Sequence, residues 1–138
     1  MDRVFVDTNV LLDYLAARAP FDTAAKELTQ RAENAQLELC ASTLSFCNIA
    51  YILRKLAPGT DVSAVLCKLS ALVVFTPVDG EVISDALQST FQDFEDAVQH
   101  YSALRFGGVT HLVTRNVADF THSLIPVFTP EEYLRANP

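Results

Sequence analysis

The sequence predicts an α/β fold in which helices cover both faces of a parallel β-sheet. Short runs of β-branched and aromatic residues alternate with longer stretches in which apolar residues recur every three or four positions. Parallel strands need crossover connections, and right-handed crossovers place helices on the faces of the sheet. The chain has 138 residues, 50% of them hydrophobic, which is enough for one core and too little for two. We therefore expect a single domain over residues 1–138.

Strands are expected wherever a short apolar run is bounded by turn-forming residues. They cover residues 3–7, 37–41, 73–75, 111–114 and 127–129. The first strand ends at the polar cluster Asp7-Thr8-Asn9, and the fourth leads into a loop over residues 115–120. Ligands of such sheets bind beyond the carboxyl ends of the strands. The polar residues that follow these strands are therefore the first candidates for a functional site.

Helices are expected between a capping residue and a helix breaker. They cover residues 10–15, 22–34, 43–55, 62–72, 79–90, 93–104 and the segment that begins at Pro130. Polar residues whose side chains can accept hydrogen bonds from free backbone N–H groups are the expected N-caps: Asp22 or Thr23, Ser42 or Thr43, and Asp93. Gly107-Gly108 ends the sixth helix, and Pro130 takes the favoured first position of the last.

Composition indicates a cytoplasmic protein with no membrane association. No apolar run approaches the roughly 18 to 20 residues that cross a bilayer, and the N-terminus lacks the basic and hydrophobic regions of a signal peptide. Cys40, Cys47 and Cys67 lie among apolar neighbours without a CxxC pair, which predicts buried reduced thiols. The net charge of −7 argues against nucleic-acid binding by overall charge, unless the acids gather around a metal and a local basic patch or a basic partner supplies positive charge.

Two aspartates are expected at the same edge of the sheet. Asp7 ends the first strand and Asp119 lies in the loop after the fourth, so both can reach the carboxyl ends of neighbouring strands. A structural role is the alternative for each. Asp7 could cap the helix that begins near Val10, and Asp119 could be a turn residue.

A third acidic segment, Asp93-Phe94-Glu95-Asp96, lies at the start of a predicted helix. Asp93 is explained as the N-cap of that helix. Asp96 lies three residues after Asp93, on the same face of the predicted helix. Aspartate has only a modest helix propensity, so helix formation does not explain its position. Hard cations such as Mg²⁺ and Mn²⁺ take oxygen ligands. A pocket of three carboxylates would repel itself without such a cation, so a divalent metal ion is expected.

Together these segments resemble the PIN-domain family. The resemblance lies in Val6-Asp7-Thr8-Asn9-Val10-Leu11-Leu12-Asp13, in Asp93-Phe94-Glu95-Asp96-Ala97, and in Thr114-Arg115-Asn116 with Asp119-Phe120. The family consists of three-layer α/β/α sandwiches, here with four to five parallel strands, that are metal-dependent ribonucleases. Many are VapC-type toxins that pair with an antitoxin and dimerise. The resemblance thus implies an RNA substrate, Mg²⁺ or Mn²⁺ as cofactor, an antitoxin protein as a possible partner, and a homodimer.

The resemblance also assigns roles to residues. Asp7, Asp96 and Asp119 would be the catalytic acids that bind the metal. The implied substrate-binding residues are Thr8, Asn9, Thr114, Arg115 and Asn116. Arg115 could meet a phosphate oxygen or be an ordinary surface residue. Asn48 is the fourth expected catalytic residue, and it departs from the family pattern because a glutamate is usual at this position. Its amide oxygen can ligate a cation or hold a water, but it brings no charge and cannot act as a base.

Other classes of function are alternatives to the metal-dependent ribonuclease. A PIN-like module that has lost metal binding and instead binds a partner or nucleic acid is the main alternative, favoured by Asn48 and by the acidic charge. A receiver-type domain would need a late lysine, and none follows Lys68; the P-loop and GxGxxG motifs are both missing. His100, His111 and His122 lack the spacing of a metal triad, and no role is assigned to them. The segments 21–32 and 61–72 could form a partner or dimer surface, or could simply face the core.

Overall fold

Five strands form one sheet in a computed structural model that describes residues 1–138. The strands are β1 (Asp2–Val6), β2 (Leu37–Ser42), β3 (Val73–Thr76), β4 (His111–Val113) and β5 (Val127–Phe128). Their order in the sheet is β3-β2-β1-β4-β5, and every neighbouring pair is parallel. The α/β fold with a parallel sheet is confirmed, and each predicted strand is present. β1 lies at the centre, so its carboxyl end is flanked by β2 and β4.

Seven α-helices connect and cover the strands. They are α1 (Thr8–Leu15), α2 (Asp22–Glu33), α3 (Thr43–Leu56), α4 (Val62–Leu72), α5 (Gly80–Gln88), α6 (Phe94–Phe106) and α7 (Pro130–Ala136). A short 3₁₀ helix, Val117–Phe120, occupies part of the expected loop after β4. Ser42 and Asp93 cap α3 and α6 as predicted, accepting hydrogen bonds from the N–H groups of Ser45 and Asp96. The N-cap predicted for α2 is wrong, because Phe21 takes that position and both Asp22 and Thr23 lie within the first turn.

The two faces of the sheet bury separate apolar clusters. Alternate residues of β1 point to opposite faces, so Val4 and Val6 join the larger cluster while Phe5 joins the smaller. The larger cluster takes side chains from α1, α2, α3, α4 and α7. The smaller includes Ala103 of α6 and, between β4 and β5, Phe120 and Ile125. This packing holds the start of α6 and the middle of α3 beside the carboxyl ends of β1 and β4.

The three cysteines differ in their surroundings. Cys40 on β2 is buried, as predicted, but Cys47 and Cys67 are exposed, so the prediction of buried thiols is wrong for these two. Their apolar sequence neighbours occupy other faces of the same helices, where Ile49 and Leu69 fill the core. None of the helices combines the length and the apolar character that spanning a membrane requires.

Candidate functional site

A polar cleft of about 520 Å³ opens at the carboxyl ends of β1 and β4. The structure brings most of the predicted site residues to its walls: Asp7, Thr8, Asn9, Asn48, Asp96, Asn116 and Asp119. They come from the β1–α1 junction, the middle of α3, the first turn of α6 and the loop after β4. Five further residues that the sequence did not single out as ligands complete the lining: Tyr51, Ile52, Asp93, Glu95 and Gln99.

Asp7 is held in place by the neighbouring strand. It occupies the N-cap position of α1, yet its side chain makes no capping hydrogen bond. The Thr114 hydroxyl donates instead to Asp7 Oδ2 at 2.8 Å, and that hydroxyl oxygen also accepts the N–H of Asn116. Asp7 is only 4% exposed. Asp7 therefore does not cap α1 with its side chain. Thr114 fixes one carboxylate oxygen, and the residue lines the cleft, where a ligand could bind.

Asp96 lies within a field of negative charge. Burial, followed by the charges of Asp93, Asp7, Asp119 and Glu95, raises its pKa to about 7. None of these acids forms an ion pair with a lysine or arginine, whereas acids elsewhere in the chain do. Like charges that share a site without a cation disfavour the ionised form of a carboxyl group. The cleft therefore has unbalanced negative charge that a bound cation would relieve.

Arg115 does not line the cleft. Its Nε lies 2.9 Å from Asp13 Oδ2, an ion pair without hydrogen-bond alignment. Its guanidinium also lies over the Phe21 ring, 4.1 Å from the centroid. Thr114 does not line the cleft either, because it is fully buried and donates its hydroxyl to Asp7. Of the five residues predicted to bind substrate, Thr8, Asn9 and Asn116 line the cleft. Thr114 and Arg115 do not.

Sequence comparison identifies the family. A model of the PIN domain matches residues 3–118. The chain belongs to the PIN-domain family. The predicted family is thus confirmed, and it is a family of nucleases. No curated protein sequence matches the chain.

Solved structures share the fold of this PIN domain at low sequence identity. A toxin–antitoxin complex from Klebsiella pneumoniae has 19% identity and a TM-score of 0.67, with 92% of this chain and 97% of that one aligned. DNA-bound VapBC from Salmonella typhimurium has 17% identity and a TM-score of 0.66 over 94% and 99% of the two chains. VapC20 from Mycobacterium tuberculosis, a sarcin–ricin loop cleaving toxin, has 19% identity and a TM-score of 0.59 over 79% and 86%. The fold is therefore that of VapC-type PIN domains.

The donor set of this PIN domain suits a hydrated hard cation. No three His, Cys, Asp or Glu side chains are arranged so that they could all ligate one ion. Magnesium commonly binds through one or two carboxylates and keeps several waters, so a direct three-acid cage is not required. Asn48 lies on the same cleft wall and offers a neutral oxygen. The residues present fit a divalent ion held partly through water.

A hydrogen-bonded layer supports the floor of the PIN-domain cleft. Thr8 Oγ1 lies 2.8 Å from Ser45 Oγ, and Ser45 Oγ lies 3.5 Å from Gln99 Oε1. Gln99 is 3% exposed. Sequence reasoning missed it, although a glutamine between Val98 and His100 on a buried helix face, one turn after Asp96, is a signal that could have found it.

His100 is structural. It is fully buried, and its Nε2 accepts the N–H of Leu124 at 3.0 Å. Burial lowers its pKa to about 4, so the ring is neutral at physiological pH. With Nε2 as the acceptor, the ring proton lies on Nδ1.

Proposed function

We propose that this PIN domain is a metal-dependent endoribonuclease, with Mg²⁺ or Mn²⁺ as its cofactor. The observation that carries the proposal is the convergence of Asp7, Asp96 and Asp119 on one cleft without any basic partner. Acids held together at the carboxyl ends of parallel strands, against their mutual repulsion, are expected where a cation and a phosphate are to be bound.

In this proposal each residue has a definite role. Asp7, Asp96 and Asp119 hold the cation directly or through water, and Asn48 adds a neutral oxygen or positions one of those waters. When bound, the ion supplies Lewis-acid stabilisation of charge and lowers the pKa of a water molecule. Thr114 fixes the rotamer of Asp7 through its hydroxyl.

Substrate contacts follow from the same cleft. Thr8, Asn9 and Asn116 offer neutral hydrogen-bond donors to the scissile phosphate. Arg115 is engaged by Asp13, so its role is to hold the loop that carries Asn116 rather than to bind phosphate in this conformation.

A toxin–antitoxin role is proposed from the fold neighbours. The related Klebsiella structure is a toxin–antitoxin complex and the Salmonella structure is a DNA-bound VapBC. By analogy we propose an antitoxin protein as partner, a homodimer as the functional assembly, and the cytoplasm as the compartment. Gel filtration with light scattering tests the dimer, and co-purification of a protein encoded next to this chain tests the antitoxin.

A specific observation favours a second function. Asn48 is neutral, and no three acids are placed to ligate one ion. A PIN module that binds nucleic acid or a protein without cleaving it would show both features. The two functions differ in whether added metal produces cleavage.

The test is RNA cleavage with Mn²⁺, with Mg²⁺ and with EDTA. The substrates are a single-stranded RNA and a sarcin–ricin stem-loop, chosen because VapC20 cleaves that loop. We expect cleavage only with metal, and a loss of about 100-fold or more for Asp7→Asn and Asp96→Asn, because charge stabilisation by a bound ion is worth several kcal/mol.

Asp61→Asn is the matched control. Asp61 caps α4 outside the cleft, and asparagine caps helices as well as aspartate does. Cleavage that survives EDTA, or that Asp7→Asn retains, would exclude the metal-dependent nuclease. RNA binding without cleavage under every metal condition would establish the second function.

A further inference from the structure

Most positive charge in this chain is already neutralised by neighbouring acids. Of the ten lysines and arginines, six form ion pairs: Arg3, Arg18, Lys26, Arg31, Arg105 and Arg115. The four without an acidic partner are Arg54, Lys55, Lys68 and Arg135. Two of these four are adjacent, and both lie in the last turn of α3. With a net charge of −7, this is the place where unpaired positive charge is concentrated.

The last turn of α3 continues the wall of the acidic cleft. Asn48, Tyr51 and Ile52 line the cleft from this helix. Helix geometry places Lys55 on the same face, about 10 Å along the axis from Asn48. Arg54 is exposed beside it. The unpaired cations therefore lie at the mouth of the cleft rather than on an unrelated surface.

Tyr51 presents an aromatic ring at the same mouth. Its residue is 59% exposed, although it lines the cleft, so it contributes little to the core. Lys55 Nζ lies 4.5 Å from the centre of the ring, a cation–π contact that keeps the ring and the charge together. An exposed aromatic ring beside unpaired cations is the usual platform for an unpaired nucleotide, because the base stacks and its phosphate is neutralised.

The acidic cleft creates the need for such a platform. Asp7, Asp96 and Asp119 attract a cation but repel the phosphates on either side of the scissile bond. A strand that enters the cleft needs neutralisation outside it, and the mouth at α3 is where the chain offers this. The same turn of α3 also exposes Leu56, at 63%. One aliphatic side chain beside two unpaired cations and a ring suits a polyanion with stacking bases better than an apolar protein segment.

We propose that Tyr51, Arg54 and Lys55 form a binding lip for single-stranded RNA, in which a base stacks on Tyr51 and a flanking phosphate binds Arg54 and Lys55. The lip deepens the proposed nuclease function and rests on it for its biological role. Binding to the lip needs no metal, so it can be measured separately from cleavage.

The test is fluorescence anisotropy with a labelled single-stranded RNA of about 12 nucleotides, in EDTA and over a range of salt concentrations. We expect Tyr51→Ala to weaken binding about 10-fold, and Tyr51→Phe to retain most of the affinity because stacking needs only the ring. The double variant Arg54→Gln/Lys55→Gln should weaken binding at low salt. It should also reduce the slope of log affinity against log salt by about 1.4, for two released counterions on a single strand.

The two other unpaired cations provide matched controls. Lys68→Gln and Arg135→Gln remove one charge each from α4 and α7, away from the cleft. These variants should bind RNA as the unsubstituted chain does. Thermal melts should be unchanged in all five variants, because each altered side chain is exposed.

The outcomes separate the lip from the nuclease. If Tyr51→Ala and Arg54→Gln/Lys55→Gln bind RNA as tightly as the unsubstituted chain, the lip is overturned. Metal-dependent cleavage by the unsubstituted chain would still support the nuclease function. Tyr51-dependent binding without cleavage supports the lip and removes the nuclease function. No RNA binding at all overturns the lip. A change of oligomeric state in Tyr51→Ala with unchanged RNA affinity also overturns it, because the surface would then be a contact between copies.

Discussion

Two buried aspartates near the start of the chain differ in their partners. Asp13 is 1% exposed and Asp7 is 4% exposed. Arg18 donates to Asp13 Oδ1 at 3.0 Å, and Arg115 pairs with Oδ2 at 2.9 Å. Asp7 has no cationic partner; a single hydroxyl, that of Thr114, donates to Oδ2.

The difference separates an acid that is paired within the protein from one that the proposed function assigns to the metal site. Burial raises the pKa of the Asp13 carboxyl above its usual range, although the two arginines that pair with it act to lower that pKa. These ion pairs also tie α1 to Arg18, which follows α1 in the chain, and to the loop after β4. Asp7 has no such partner in the protein, and in the proposed function a bound cation balances its charge. Burial alone therefore does not mark a candidate site in this fold, whereas burial of an acid without a cationic partner is the feature on which the proposal rests.

The largest expected effect on stability is at Asp13. Asp13→Asn should lower the free energy of unfolding by about 2 to 4 kcal/mol, because it leaves two arginines without their counter-ion. The estimate is below that for fully buried pairs, since the arginine side chains are 35% and 25% exposed. Asp7→Asn should change stability by less than about 1 kcal/mol, because it removes a charge that nothing balances. Urea denaturation in EDTA measures both.

Equal destabilisation by the two substitutions would remove the distinction. RNA cleavage should follow the reverse order: Asp7→Asn is inactive though stable, and Asp13→Asn keeps activity at temperatures where it remains folded.

The strand positions could be predicted because the local pattern and the tertiary structure agree. Each apolar run that predicted a strand became one within a residue or two, since buried parallel strands are nearly continuous apolar runs. The exposure of Cys47 and Cys67 could not be predicted, because the sequence does not show which face of each helix packs against the rest of the protein. Neighbours in sequence on a helix point in different directions.

From the local sequence pattern alone, the candidate site was predictable only where its residues follow strands or begin a helix; Asn48, inside α3, was found through the family resemblance. Asp7, Asp96 and Asp119 meet that condition and share one cleft. Gln99 and Tyr51 lie inside helices, and their position on the cleft follows from how α6 and α3 pack, which no local pattern specifies. The pairing of Arg115 with Asp13 joins residues far apart in sequence, so the sequence could not tell it from a free surface arginine.

An intermediate effect is expected from the hydroxyl that orients Asp7. Thr114→Val keeps the shape of a fully buried side chain but removes the donor to Asp7 Oδ2 and the acceptor for the Asn116 N–H. We expect a loss of about 2 kcal/mol in stability, because buried polar groups are left unpaired. Mn²⁺ affinity, measured by calorimetry, should also fall because Asp7 is free to turn.

Thr114→Ser is the matched control, since it restores the hydroxyl at the cost of one methyl group. Metal affinity in this variant should return to that of the unsubstituted chain even if stability does not. If Thr114→Val bound Mn²⁺ normally, Asp7 would not depend on this hydrogen bond for its orientation.

The smallest effect, and the one that tests the idea of unbalanced charge directly, concerns Asp96. Its pKa in the folded chain is about 7, well above the ordinary aspartate value of 3.8. The folded state therefore keeps a proton that the unfolded state has lost, and stability falls as the pH rises from about 4 to about 7. Asp96→Asn should remove that fall and, in EDTA at pH 8, be more stable by about 1 to 2 kcal/mol once solvent screening is allowed for.

The gain in Asp96→Asn should shrink as the pH falls toward 4, because the unfolded state then also begins to take up the proton. High salt should reduce the gain as well. Mn²⁺ should reverse the order at pH 8, because a bound cation stabilises only the chain that keeps the carboxylate. Asp61→Asn, which alters an acid outside the cleft, should show neither effect. Thermal melts at pH 5 and pH 8, each with EDTA and with Mn²⁺, distinguish these cases. A gain that is independent of pH would mean that asparagine simply suits the helix better and that the cleft acids do not repel one another.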